Sequence, residues 1–263
     1  MKIDKVIFGV DDNPLYGDFW PIQAKLVKEV LGAEPVLFHI TNESSDFYND
    51  GHGLVKKIDK DSCPGIITSF LSQIIRMYAT KYFPNEICMP SDIDMLILNK
   101  GWFTEQIKDI DDNSLVIMGD GGYKPEDNRY PICYNIGKGS TFNKILGTNI
   151  PFPLYAHQLG LLKQGWDTDE LYFGDKVNNH PHKVNVYKFK RQRNSFNSCL
   201  DRIDRHNFPV QLEYQGEIEA QQRDGVYDKD KLKEGYYIDV HCPRPYGKYK
   251  DAIEEVANII LNK

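Results

Sequence analysis

Asp92 and Asp94 are the residues whose type and spacing point most directly to chemistry. They stand in Cys88-Met89-Pro90-Ser91-Asp92-Ile93-Asp94-Met95-Leu96-Ile97-Leu98, where two acids interrupt an apolar run. In an extended segment side chains alternate, so residues two apart point the same way. An extended reading lets both carboxylates converge on one point while Ile93 turns into the core. Two clustered anionic oxygens suit a hard divalent cation, Mg²⁺ or Mn²⁺. Such a cation commonly holds a diphosphate as its second anionic partner, which points to a nucleotide-activated donor. Asp-x-Asp alone also fits a plain surface turn. Here, however, the acids border apolar strand residues, and carboxylates in that setting need a metal, a base or water.

The elements that must position these acids read as alternating strands and helices. The run 6–10 is apolar and predicts a strand ending at Asp11-Asp12-Asn13-Pro14. A helix over 17–31 follows, with Trp20, Ala24, Val27 and Leu31 on one face and Gly32 and Pro35 to stop it. The run 36–40 is the next strand, and strand–helix–strand implies a parallel sheet with a right-handed crossover. Residues 42–63 are polar and read as loop. A strong helix then carries Ile67, Phe70, Leu71, Ile74, Ile75 and Tyr78 on its apolar face, with Gln73 and Arg76 together on another. A short helix near 102–107 leads to a strand at 115–119. The run 132–137 reads as strand into loop. Shorter helices are expected at 155–162 and 169–173, a basic strand or loop at 187–193, a strand at 236–241 and a closing helix at 249–261.

Composition narrows the class. The chain has 263 residues, 41% hydrophobic and 27% charged, as in an ordinary soluble domain. A net charge of −6 gives no case for nucleic acid as a partner. No apolar run approaches the roughly 20 residues of a membrane span. The start lacks a signal-peptide core, so a cytosolic protein is expected, or one in a host's cytoplasm should its source be viral. Cys63, Cys88, Cys133, Cys199 and Cys242 are odd in number and scattered, which fits reduced thiols. No repeat or linker appears. One domain over 1–263 is expected, in halves at 1–120 and 121–263 that the resemblance described next implies to be nucleotide-binding and acceptor-binding.

Taken in order, several short pieces resemble the nucleotide-sugar glycosyltransferases of the GT-A fold, which carry an Asp-x-Asp motif. They are Phe8-Gly9-Val10-Asp11-Asp12-Asn13-Pro14, Gln73-Ile74-Ile75-Arg76-Met77-Tyr78, Ser91-Asp92-Ile93-Asp94-Met95, Asn135-Ile136-Gly137, Trp166-Asp167-Thr168-Asp169-Glu170 and Tyr237-Ile238-Asp239-Val240-His241. Within that family the chain is most similar to the small glycosyltransferase domains of large DNA viruses such as chloroviruses. The resemblance implies a central, mostly parallel α/β sheet flanked by helices, with the nucleotide at the carboxyl ends of the strands. It implies that the Val10 to Tyr16 loop lies near base and ribose, where Asp11 or Asp12 could accept hydrogen bonds, with simple helix capping as the alternative for the two acids.

The same resemblance implies that Asp94 ligates a Mn²⁺ or Mg²⁺ directly. Asp92 would act through water, the metal or the ribose, with Ile93 between them in the donor-binding segment. His241 is a further candidate ligand, against the alternative of a histidine satisfied by a hydrogen bond. Arg76 suits the nucleotide phosphates, because a guanidinium forks onto oxyanions, or else pairs with a nearby acid. Asn135 and Gly137 would let backbone approach the donor sugar. Asp169 and Glu170, opening a late helix, resemble the carboxylate that deprotonates the acceptor in inverting enzymes, with Asp169 the candidate base. Helix capping is the plainer alternative.

Other motifs fall away. Gly137-Lys138-Gly139-Ser140-Thr141 fails as a phosphate loop, because Gly139 follows the lysine. His180-Pro181-His182 reads as loop. Lys188, Lys190, Arg191 and Arg193 read as a solvated strand face or a hold for an anionic acceptor. Asp92 and Asp94 are too close to straddle a glycosidic bond as hydrolases require. The expected activity is transfer of a sugar from a nucleoside diphosphate sugar, UDP-linked by preference, to a hydroxyl on a glycan or glycoprotein. The rivals are a sugar-phosphate nucleotidylyltransferase and an idle glycan- or partner-binding module.

Overall fold

Val6, Ile7, Phe8 and Val10 are all buried, so the first strand, Lys5–Asp11 (β1), is covered on both faces. The structure is a computed structural model and describes residues 1–45, 48, 51–179, 181, 183–191, 201–214, 217, 218 and 225–262. The expected first helix is one helical run in three geometries. A 3₁₀ turn at Gly17–Phe19 leads into Trp20–Leu26 (α1) and then a π-turn at Val27–Leu31. Gly32 ends it at φ 66°, where a side chain would be strained.

Glu34–Ile40 (β2) follows, and then Leu54–Ile58 (β3), a strand inside the segment read as loop. β3 is the outer strand of its sheet, is only partly buried, and carries Lys56 and Lys57. An edge strand built this way lacks the apolar run that reveals a central one. Thr68–Tyr78 (α2) and Ile87–Pro90 (β4) come next. Met95–Ile97 (β5), Lys100–Thr104 (α3), Leu115–Asp120 (β6) and Asn135–Lys138 (β7) continue the chain. Gly139–Leu146 (α4), Phe152–Gly160 (α5), Thr168–Asn179 (α6) and Val186–Lys190 (β8) follow. The remainder is Arg202–Ile203 (β9), a hairpin of Glu213–Tyr214 (β10) with Glu217–Ile218 (β11), Lys229–Glu234 (α7), Asp239–His241 (β12) and Tyr246–Leu261 (α8).

Seven strands form the central sheet in the order β3-β2-β1-β4-β7-β6-β8. All neighbours run parallel except β7, which runs against both β4 and β6. The central, mostly parallel sheet flanked by helices is therefore present. From β1 the chain goes to β2 on one side and later to β4 on the other, which opens a crevice at their carboxyl ends. Side chains alternate along β1. Ile7 joins the core with Ile74, Ile75, Phe142 and Phe173 of the helices over one face. Val6 and Phe8 join Trp20, Ile253 and Val256 on the other.

The acidic run holds the main surprise. β4 belongs to the central sheet, whereas β5 pairs with β12 in a separate sheet of order β5-β12-β9. Asp92 and Asp94 lie where the chain crosses between the two. Gly9 matters to the same region. A Cβ there would stand 2.2 Å from the Ser72 carbonyl oxygen, so only glycine lets α2 settle onto β1.

Candidate active site

The carboxyl ends of β1 and β4 open onto a cavity of about 340 Å³. Val10, Asp11, Arg76, Asp92, Ile93, Asp94, Asp169, Glu170 and His241 all line it, although the sequence separates them widely. Asp11 closes β1 and is held by Thr68, whose hydroxyl donates to its Oδ2 at 2.8 Å. Arg76 comes from α2, Asp169 and Glu170 from the first turn of α6, and His241 from the end of β12.

The acidic segment is not extended, contrary to the alternation expected of it. The Met95 amide donates to the Asp92 carbonyl at 3.2 Å and closes a turn. Buried Gln23 of α1 ties the turn down, its Nε2 lying 3.2 Å from the carbonyls of Asp92 and Ile93 and 2.8 Å from that of Met95. The change of sheet forces the turn, and the turn breaks the two-residue period. Ile93 is buried, but the carboxylates diverge. Asp92 pairs with Arg76. Asp94 faces His241 Nε2 at 3.6 Å and Arg244 Nε at 3.5 Å.

Arg76 is buried between acids. Besides Asp92 it meets Asp169 Oδ2 at 3.2 Å, and its Nε donates to the Gln73 carbonyl at 3.0 Å. It therefore pairs with acids of the chain, the second of the two uses weighed for it. Burial pushes the Asp169 carboxyl up, and Arg76 pulls against that. Glu170 is placed differently. Its Oε1 accepts from the Tyr123 hydroxyl at 2.9 Å, while Oε2 is buried without a hydrogen-bond partner. Arg129 approaches only to 3.8 Å. Burial pushes the Glu170 carboxyl up to about 7, against the pull of Tyr123.

His241 is held from both sides. Nδ1 lies 3.4 Å from Asp204, and Nε2 lies 2.9 Å from Arg205 Nη2. An arginine only donates, so in this arrangement Nε2 presents its lone pair and Nδ1 carries the proton toward Asp204. Burial would raise the Asp204 carboxyl, but His241 and Arg205 outweigh it and hold it at about 2. Two residues upstream, fully buried Asp239 accepts from Arg191 at 2.9 and 3.0 Å and from Arg202 at 2.8 and 3.0 Å. Arg191 also meets Asp201 at 3.1 Å. Arg191 is thus an internal strut for β12 and not part of a solvated strand face. Arg193 of that basic cluster lies outside the described residues, as do His180 and His182.

Three sequence candidates stand away from the cavity lining. Asp12 turns to His39, 3.0 Å from its Nε2. Asn135 is buried and donates to the carbonyls of Pro131 and Ile132 at 2.8 and 2.9 Å, shaping the chain before β7. Gly137 pairs within the central sheet, opposite Cys88 and Leu115. Neither brings its backbone to a donor sugar, because β7 is an interior strand whose hydrogen bonds are used by its neighbours. Sequence reasoning missed Tyr123, Arg205 and Arg244, which line the cavity along with Tyr16 of the expected Val10 to Tyr16 loop. Arg244 could have been found from its place three residues after His241. Arg205 and Tyr123 give no local signal.

A second cavity of about 180 Å³ shares Asp92, Tyr123, Glu170 and His241 with the first as a common wall. Across the main lining, six carboxylates (Asp11, Asp92, Asp94, Asp167, Asp169, Glu170) face three guanidiniums (Arg76, Arg205, Arg244). Among the described residues, no three His, Cys, Asp or Glu side chains are gathered to hold a metal by themselves. The expected trio of Asp92, Asp94 and His241 is therefore not one set, because Arg76 takes Asp92. What remains is a carboxylate oxygen and His241 Nε2 3.6 Å apart, with Asp204 fixing the imidazole from behind and Arg205 on Nε2 at 2.9 Å, a guanidinium that a cation there must displace. That pair fits a Mn²⁺ or Mg²⁺ that draws its other ligands from substrate oxygens and water.

No protein-family model matches the chain, and no curated protein matches it. Solved structures do. The glycosyltransferase GlyE of Streptococcus pneumoniae TIGR4 is 14% identical, with a TM-score of 0.43 over 72% of this chain and 45% of its own. The bifunctional glycosyltransferase WbbM is 11% identical, with a TM-score of 0.47 over 98% and 50%. A 4-diphosphocytidyl-2C-methyl-D-erythritol synthase is 7% identical, with a TM-score of 0.38 over 76% and 92%. The chain spans about half the length of the first two. Likeness at this level leaves the chemistry to be read from the site.

Proposed function

We propose that this chain is a glycosyltransferase of the GT-A type. It takes a sugar from a nucleoside diphosphate donor, UDP-linked by preference, and passes it to a hydroxyl of a glycan or glycoprotein. One observation carries the reading. At the carboxyl ends of parallel strands, a single cavity joins an Asp94–His241 pair suited to a cation with a buried carboxylate, Glu170, that has an unpartnered oxygen.

In this reading the nucleoside lies against Val10, Asp11 and Tyr16, and the diphosphate lies near Asp94, His241, Arg205 and Arg244. A bound Mn²⁺ or Mg²⁺ would supply Lewis-acid neutralisation of the leaving diphosphate. Arg205 and Arg244 add fixed positive charge there. Arg76 does not reach the phosphates itself but holds Asp92 and Asp169 in place. The donor sugar occupies the second cavity, walled by Asp92, Tyr123 and Glu170. Glu170 takes the proton of the acceptor hydroxyl as the new glycosidic bond forms and the sugar–diphosphate bond breaks; its Oε2 is enclosed in the free protein and must be uncovered when the sugars enter. Asp169 is already engaged by Arg76 and by the Glu170 amide, 2.9 Å away, so it orients and Glu170 acts. A base acting opposite the leaving group inverts the anomeric centre.

Calorimetric titration with UDP, GDP and TDP, each with Mn²⁺ and with chelator, tests the reading. Metal-dependent binding of one nucleotide is the expected result. Absence of binding to all three in both conditions would refute it.

A further inference from the structure

Trp166 is 66% exposed, yet it lines the cavity beside Asp167 and Glu170. An indole left in water gives the core nothing. The turn that carries it is nevertheless held firmly. Trp166 sits in the 3₁₀ turn Gly165–Asp167, entered by Gly165 at φ 65°. The Thr168 hydroxyl donates to the Gly165 carbonyl at 2.8 Å, and Gln73 Nε2 donates to the Trp166 carbonyl at 3.3 Å. Asp167 pairs with Arg129 at 2.7 Å, and that guanidinium lies 3.8 Å from the centre of the Tyr123 ring. The turn is therefore pinned from α2, from α6 and from the Tyr123 segment.

An exposed aromatic face on a pinned turn, bordered by carboxylates, matches one ligand chemistry closely. A pyranose ring has a face of C–H groups, which pack on the negative face of an indole. Around its edge it has hydroxyls, which donate to carboxylate oxygens. A lipid chain would leave the acids unmatched, and a basic peptide would not need the flat face.

We propose that Trp166 is the stacking platform for a sugar ring of a saccharide acceptor, at the Glu170 end of the cavity. This rests on the glycosyltransferase reading. The test uses the full chain with UDP and Mn²⁺, titrated with lactose, cellobiose and maltose. Trp20 is buried and Trp102 half-buried, so iodide quenching of fluorescence reports mainly Trp166. One of the three disaccharides should at least halve that quenching. Its calorimetric affinity should fall about ten-fold in W166A, and W166F should recover most of it. Since Trp166 packs little, the thermal midpoint should stay in place. UDP binding with no protection by any of the three sugars, or with unchanged affinity in W166A, would overturn the platform alone. A wild type that fails to bind UDP would overturn the glycosyltransferase reading, and the platform with it.

Discussion

Glu170→Gln is the substitution whose outcome follows most directly from the structure. The Glu170 side chain is only 18% exposed, and burial lifts its carboxyl from 4.5 to about 7. At about 1.36 kcal/mol per pH unit, the ionised form in the folded chain is disfavoured by about 3 kcal/mol. The sign follows from proton counting. Below pH 4.5 the folded and unfolded chains both hold the proton. Between 4.5 and 7 only the folded chain holds it, so wild-type stability falls as pH rises, and the loss is complete above about 7.

The glutamine variant lacks this slope. Its carbonyl oxygen can still accept from Tyr123, but its amide has no acceptor where Oε2 now stands, a penalty of about 1 kcal/mol. The variant should therefore be about 1 kcal/mol less stable than wild type near pH 4.5. It should be about 2 kcal/mol more stable near pH 8. Urea unfolding of both proteins across that range measures the difference. A difference that stays constant with pH, or that moves the other way, would refute the account of Glu170 as a buried and poorly compensated carboxylate. Transfer by the same variant should drop by a factor on the order of 10² to 10⁴ if Glu170 is the base. The wild-type rate should rise with pH to a plateau above about 7.

Other outcomes follow from neighbouring groups. Asp94→Ala should keep the fold and lose Mn²⁺-dependent UDP binding in calorimetry. Asp204→Ala should weaken Mn²⁺ binding by about 10- to 100-fold through the loosened imidazole, and unchanged affinity would remove His241 as a ligand. Asp239→Ala leaves Arg191 and Arg202 short of a buried partner. It should lower stability by about 3 kcal/mol, which a thermal scan would show as a drop on the order of 10 °C. Proton NMR of the first product formed should show an inverted anomeric configuration. Retention would limit Asp169 and Glu170 to positioning donor and acceptor.

Much of the frame was legible because it rests on local patterns. The runs around Val6–Val10, Val36–Ile40 and Leu115–Met118 are buried on both faces and announce themselves as apolar stretches. β3 does not, because an edge strand with lysines has no such run. The acids of the site were legible as types, but their arrangement was not. Asp92 and Asp94 diverge because the chain changes sheets between them, and sheet membership is decided by β12, more than 140 residues later in the sequence. Arg191 was misread for the same reason. Its partners Asp201 and Asp239 approach it only once β9 and β12 are in place.

The division between the two sheets also separates the supports of the cavity. Asp94 and His241 ride on the edges of β5 and β12, and the Asp94 carbonyl accepts from the Cys242 amide at 2.9 Å. Asp11 and Arg76 depend instead on β1 and on the helix laid over Gly9. The Asp94–His241 pair and the Val10–Asp11 end of the cavity thus stand on different sheets, which share one buried core through Phe8, Met95, Leu96 and Val240 and meet again where Arg244 bonds Tyr16. Gln23 ties the turn between the sheets, and the shared core carries a change in one scaffold to the other as well.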